Sequence, residues 1–147
     1  MLSTPHLLVG ATIVKLMPDH PEIALPLAFL SHFVLDSIPH WDGSPQAPFS
    51  KKTAVGVVAD YSLGVALVYL STNGLPNQYL IWLGAFLATL PDFILGTYKH
   101  FIKYLEKYPV VAIPNRFHMS IQRNVTFWPG LAISATTSII CLLILIS

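Results

Sequence analysis

Apolar residues fill this chain in long stretches, broken by short segments rich in Pro, Gly and charge. Four stretches are long enough to cross a bilayer as helices: Pro21–Asp42, Lys52–Ser71, Gln78–Thr97 and Val125–Ser147. A fifth, Ser3–Met17, covers only ~22 Å as a helix, against a hydrocarbon core of ~30 Å. Pro18, Pro21, Pro45 and Pro48 mark loops, as do Gly74-Leu75-Pro76 and the pair Pro109 and Pro114. Between them, Tyr98–Pro109 reads as a short amphipathic helix at a membrane surface. The pattern predicts an all-α fold: a polytopic membrane bundle of four to five transmembrane helices, with residues 1–147 as a single integral membrane domain.

Composition narrows the class. Hydrophobic residues make up 54% and charged residues 10% of the chain, against about 25% charged in a typical soluble domain. Mean hydropathy is +0.63. A disordered chain, a basic nucleic-acid-binding domain and an ordinary soluble globule are excluded, so no nucleic-acid partner is expected. The start MLSTPHLLVG lacks the basic region of a signal peptide, so the first segment reads as mature structure. Cys141 is the single cysteine, which excludes an internal disulfide and a Cys-based zinc site.

The basic residues then orient the spans. Lys51, Lys52, Lys99, Lys103, Lys107, Arg116 and Arg123 all fall in loops on one side if the four long spans cross, whereas STNGLPN and the C-terminus carry no basic residue. That side reads as cytoplasmic, which predicts a multi-pass protein of the cell membrane, or of the inner membrane in a bacterium. Lys15 falls outside this pattern. It sits at the outer surface if Ser3–Met17 also crosses, the five-helix version preferred here.

Ionisable groups inside apolar spans are costly and mark function. In LSHFVLDSIPHWD, His32, Asp36 and His40 stand at i, i+4 and i+8 and so share one helix face, with Pro39 able to tilt His40 off it. Asp42 closes the group at the membrane surface. Asp60 lies in the second long span, Asp92 near the end of the third, His118 just before the last, and His6 in the short first segment. Counted from the cytoplasmic ends, Asp92, Asp36, Asp60 and His32 lie ~7.5, ~9, ~12 and ~15 Å deep, all in one leaflet. His6 joins them if the first segment crosses. Imidazoles and carboxylates converging at low dielectric point to a divalent metal, which offsets the repulsion among the carboxylates. The mixed set suits zinc first, then manganese or iron, as one ion or as two bridged by a carboxylate. The expected ligands are His32, Asp36, His40, Asp60 and Asp92, with His6 added. Asp42 is the candidate general base, and His118 a catalytic side chain or further ligand.

Three segments resemble a known family. Thr4-Pro5-His6-Leu7-Leu8-Val9-Gly10 is similar to the N-terminal T-H-x-x-x-G segment of small predicted inner-membrane metal-dependent hydrolases. Ser31-His32-Phe33-Val34-Leu35-Asp36 resembles their S-H-x-x-x-D segment, and GAFLATLPD at Gly84–Asp92 their G-x-L-L-P-D segment. The H-x-x-x-D pattern followed by Pro39-His40 is also similar to a motif of zinc-dependent phospholipase C. Both resemblances imply His and Asp as metal ligands, and hydrolysis of a phosphoester.

Together these features lead to the expectation of a membrane metal-dependent hydrolase acting on a lipid or small amphiphile from the cytoplasmic leaflet. Arg116 and Arg123 would hold an anionic head group. A metal-ion or proton transporter, and a structural bundle with a polar packing face, are the alternatives. A transporter needs polar groups reaching the site from both faces, and the outer halves of the spans carry almost none.

Overall fold

The computed structural model describes residues 1–41, 50–101 and 107–147. These residues form six α-helices: α1 Ser3–Leu16, α2 Pro21–Ser37, α3 Lys51–Thr72, α4 Gln78–Phe101, α5 Pro109–Ile121 and α6 Phe127–Ile146. The all-α expectation holds.

Helix α1 is the axis of the bundle and packs against α2, α3, α4 and α6. Its side chains explain the position. Gly10 brings α1 so close to α4 that an added Cβ would lie 2.4 Å from the Gly84 carbonyl oxygen and 2.7 Å from the Ala88 Cβ. A Cβ on Gly84 would in turn lie 2.4 Å from Val14 Cγ2. Small residues thus let two backbones approach, as they do in membrane helix pairs. Leu7, Leu8, Ala11 and Val14 complete the buried side of α1 against Val68, Ile81, Ala85, Cys141 and Leu145. Three buried hydroxyls are satisfied within their own helices, Thr12 on the Leu8 carbonyl, Thr72 on that of Val68 and Ser138 on that of Ser134.

The number of spans is corrected. Among the described residues, two helices are long and apolar enough to cross a membrane, α3 and α6, with Gln78–Ile94 of α4 a shorter apolar helix. Four to five do not qualify by length and composition. Pro39 is one reason: the residue before a proline is pushed out of the helical region, so α2 ends at Ser37 and Ile38 is extended (φ −77°, ψ 139°). α1 is short because it is enclosed by other helices and need not match a bilayer.

Two further expectations change. Of the surface helix expected over Tyr98–Pro109, residues 98–101 belong to α4, residues 102–106 lie outside the described residues, and α5 starts at Pro109. Pro114, read as a loop residue, lies inside that helix, α5. Lys15 Nζ donates to the carbonyls of Ile144 and Leu145 at 2.9 Å each. It thereby places a cation on the negative C-terminal end of α6.

Candidate metal centre

Helices α1, α2 and α5, with the segment that follows α2, bring one carboxylate to the meeting point of four imidazoles. Asp36, on α2, is fully buried. Its Oδ2 lies 2.8 Å from His118 Nε2 on α5 and 3.3 Å from His32 Nε2 one helical turn back. Its Oδ1 lies 3.2 Å from His6 Nε2 on α1 and 4.0 Å from His40 Nε2 beyond the end of α2. The Met1 α-amino group reaches Oδ1 at 2.6 Å. Asp92, on α4, closes the group: its Oδ1 is 3.6 Å from His32 Nε2 and 3.7 Å from His118 Nε2.

Local sequence explains each placement. The i, i+4 spacing of His32 and Asp36 puts both on the inner face of α2. His40 leaves the helix with Pro39, and its backbone pairs with the α5–α6 connection, donating to the Arg123 carbonyl at 2.9 Å and accepting from Val125 N at 2.8 Å. The first turn of α6 is pressed close to the same segment: a Cβ on Gly130 would lie 2.1 Å from Trp41 N. His118 is turned inward on α5 by Phe33, whose ring lies 5.7 Å from it and 5.4 Å from His32.

The four atoms His32 Nε2, His118 Nε2, one Asp36 oxygen and one Asp92 oxygen lie within 4.8 Å of one another. Ligands held ~2.0–2.1 Å from one ion at the corners of a tetrahedron are spaced ~3.3–3.4 Å apart. The spacings of 2.8, 3.1, 3.3, 3.6 and 3.7 Å here bracket that value.

Protons lead to the same conclusion. His32 Nδ1 lies 2.9 Å from the Ala88 carbonyl, which can only accept, so Nδ1 carries hydrogen. The neutral ring then presents a lone pair at Nε2, facing His118 Nε2 at 3.1 Å and two carboxylates. Between that lone pair and the carboxylate oxygens there is a place for a positive charge, either a proton on one of the rings or a metal ion. A carbonyl fixing the far nitrogen of an imidazole is also how metal-binding histidines are oriented. His40 has the same arrangement, its Nδ1 2.7 Å from the Ile38 carbonyl. A buried group of His32, Asp36, Asp92 and His118 can therefore hold a metal ion.

Of the residues expected from sequence, His32, Asp36 and Asp92 meet with His118 in this group. His6 and His40 border it on the Oδ1 side of Asp36. Asp60 stands apart. Its carboxylate accepts from Ser3 N, from Thr4 N at 3.4 Å and from Thr4 Oγ1 at 2.8 Å. Asp60 thus caps α1 from a neighbouring helix and satisfies amide groups that a helix start leaves bare. Loss of this cap in Asp60→Ala should cost about 1–2 kcal/mol, read as a lower unfolding temperature in detergent, with metal content unchanged. Loss of bound metal in that variant would instead return Asp60 to the ligand set. Asp42 lies outside the described residues.

Sequence reasoning passed over Gln122. Its Nε2 is 3.4 Å from both Asp36 Oδ2 and His118 Nε2. The signal available was its spacing four residues after His118, which needed α5 to be recognised as a helix.

No protein-family model matches this chain, and no curated protein or solved structure matches it. The chemistry of the site rests on its own atoms.

Proposed function

We propose that this chain is an integral membrane, metal-dependent hydrolase acting on a lipid or other amphiphile that carries a phosphoester. The observation that carries this reading is the convergence of His32, Asp36, Asp92 and His118, whose ligand atoms lie within 4.8 Å of one another. A divalent ion held there, zinc above manganese or iron, supplies Lewis acidity that polarises a phosphoryl oxygen and lowers the pKa of water toward ~7.

The chain's own residues give the site its direction. Asp92 is the least covered member of the group, its side chain 35% accessible while those of His32 and Asp36 are fully covered. Phe93 and Ile94 beside it are exposed as well, so the mouth is apolar on one side. Such a rim suits an acyl chain next to a polar head. Arg116 and Arg123, both exposed, flank His118 and Gln122 along the chain and are the cations for an anionic head group.

A multi-pass membrane setting is supported by the distribution of side chains. The interior holds His, Asp, Gly, Ala, Ser and Thr beside the Leu7, Leu8 and Leu145 core, while many large apolar residues face out: Leu27, Leu30 and Val34 on α2, Val55, Val58 and Leu70 on α3, and Ile139, Ile140 and Leu143 on α6. Soluble proteins do not expose apolar surface on this scale. Lys51 and Lys52 stand about 13 Å along α3 from Asp60, in keeping with a charged surface at that end of the helix.

The test uses purified protein in detergent and in vesicles. Near-stoichiometric metal is expected, together with phosphate or head-group release from a phospholipid substrate that stops with chelator and returns with zinc or manganese. Absence of metal after reloading sinks the site. Bound metal with ion flux across vesicles and no hydrolysis points to transport.

A further inference from the structure

The carboxylate of Asp36 divides its neighbours between its two oxygens. Oδ2 faces the four-ligand group through His118 and His32. Oδ1 faces a different set, His6 and His40. We infer that Asp36 bridges two divalent ions, the second bound on the Oδ1 side by His6 and His40. This rests on the proposed metal-hydrolase reading and deepens it: two ions bridged by a carboxylate suit a phosphoester, whose attacking and leaving oxygens can each be stabilised.

His6 carries the argument. It is fully buried, and neither ring nitrogen has a hydrogen-bond partner among the described residues. Its Nε2 lies 3.2 Å from Asp36 Oδ1, but off the line a hydrogen bond needs. Buried imidazoles are almost always satisfied, and a metal ion accepts a lone pair from a direction unsuited to hydrogen bonding. The ring also stacks on His32, with centroids 4.3 Å apart and planes 24° apart, so the two sets share one wall.

His40 supplies the second nitrogen. With Nδ1 donating to the Ile38 carbonyl, Nε2 holds the lone pair and faces Oδ1 at 4.0 Å. Two ligands of one ion at ~2.0–2.1 Å each lie between ~2.8 Å apart when adjacent and ~4.2 Å apart when opposed. Both the 3.2 Å and the 4.0 Å spacings fall in that range. The α-amino nitrogen of Met1 is the cation beside Oδ1 in this structure, and a metal ion would take over that role.

Metal is counted per chain by elemental analysis after loading with Zn2+ or Mn2+ and removal of excess. Wild type is expected to hold two ions. His6→Gln and His40→Gln should each hold one, with helical content unchanged by circular dichroism. Mn2+-loaded wild type should give an exchange-coupled electron paramagnetic resonance spectrum, and His6→Gln a mononuclear one. One ion in wild type, unchanged in His6→Gln, would overturn the second site and leave the four-ligand site standing. No ion in wild type would overturn both. A His6→Gln variant that misfolds leaves His40→Gln and the wild-type spectrum to decide: two ions in His40→Gln, or an uncoupled wild-type spectrum, overturns the bridge.

Discussion

Asp36→Asn is expected to lower metal affinity by at least about 100-fold while the protein still purifies as a helical bundle. Losing a residue that merely orients a metal ligand costs ~10–100-fold in affinity. Asp36 does more, since its two oxygens face His118, His32, His6 and His40. Asparagine keeps the volume and one acceptor oxygen but removes the negative charge that offsets a divalent cation. Metal titration in detergent measures the change, and circular dichroism checks the fold. Wild-type affinity in the variant would remove Asp36 from the centre of the site and with it the bridging role.

Gly10→Val should destabilise the bundle by about 3 kcal/mol, at the upper end of the usual cost of overpacking. For a chain of this size that lowers the unfolding temperature by roughly 10 °C. The new Cβ meets the Gly84 carbonyl oxygen at 2.4 Å, and a backbone atom cannot move aside by rotamer change. α1 and α4 must separate. The same contact includes Ala88, whose carbonyl fixes the ring of His32, so metal affinity should fall about 10-fold as well. Gly56→Val is the matched control, because a Cβ there meets nothing within 4 Å. Thermal unfolding of the two variants side by side measures the difference, and equal loss in both would refute the close α1–α4 contact as its cause.

Much of the site was legible along the chain because charge inside an apolar stretch has few inexpensive explanations. His32, Asp36 and Asp92 were readable on that ground, and the i, i+4 spacing of the first two already placed them on one face. Asp60 satisfied the same criterion yet caps α1. A carboxylate offsets a metal ion and a row of bare amides by the same electrostatics, and which one it meets depends on the helix packed beside it. Gly56 and Gly84 both lie within apolar stretches, but of the two only Gly84 has a neighbour close enough to need a glycine.

Hydropathy and proline spacing along the chain were enough to specify an all-helical protein with a polar interior, because the cost of burying a peptide group or a charge is local to each segment. Pro39 likewise ended α2 through the restriction it places on Ile38. Tertiary structure decided everything that depends on distance between segments: the enclosure of α1, the formation of α5 around Pro114, the inward turn of His118, and the division of four imidazoles between the two oxygens of Asp36. Coordination needs atoms placed to within a few tenths of an ångström. That precision comes from the way the helices pack, at contacts such as Gly10 against Gly84, and no single segment encodes it.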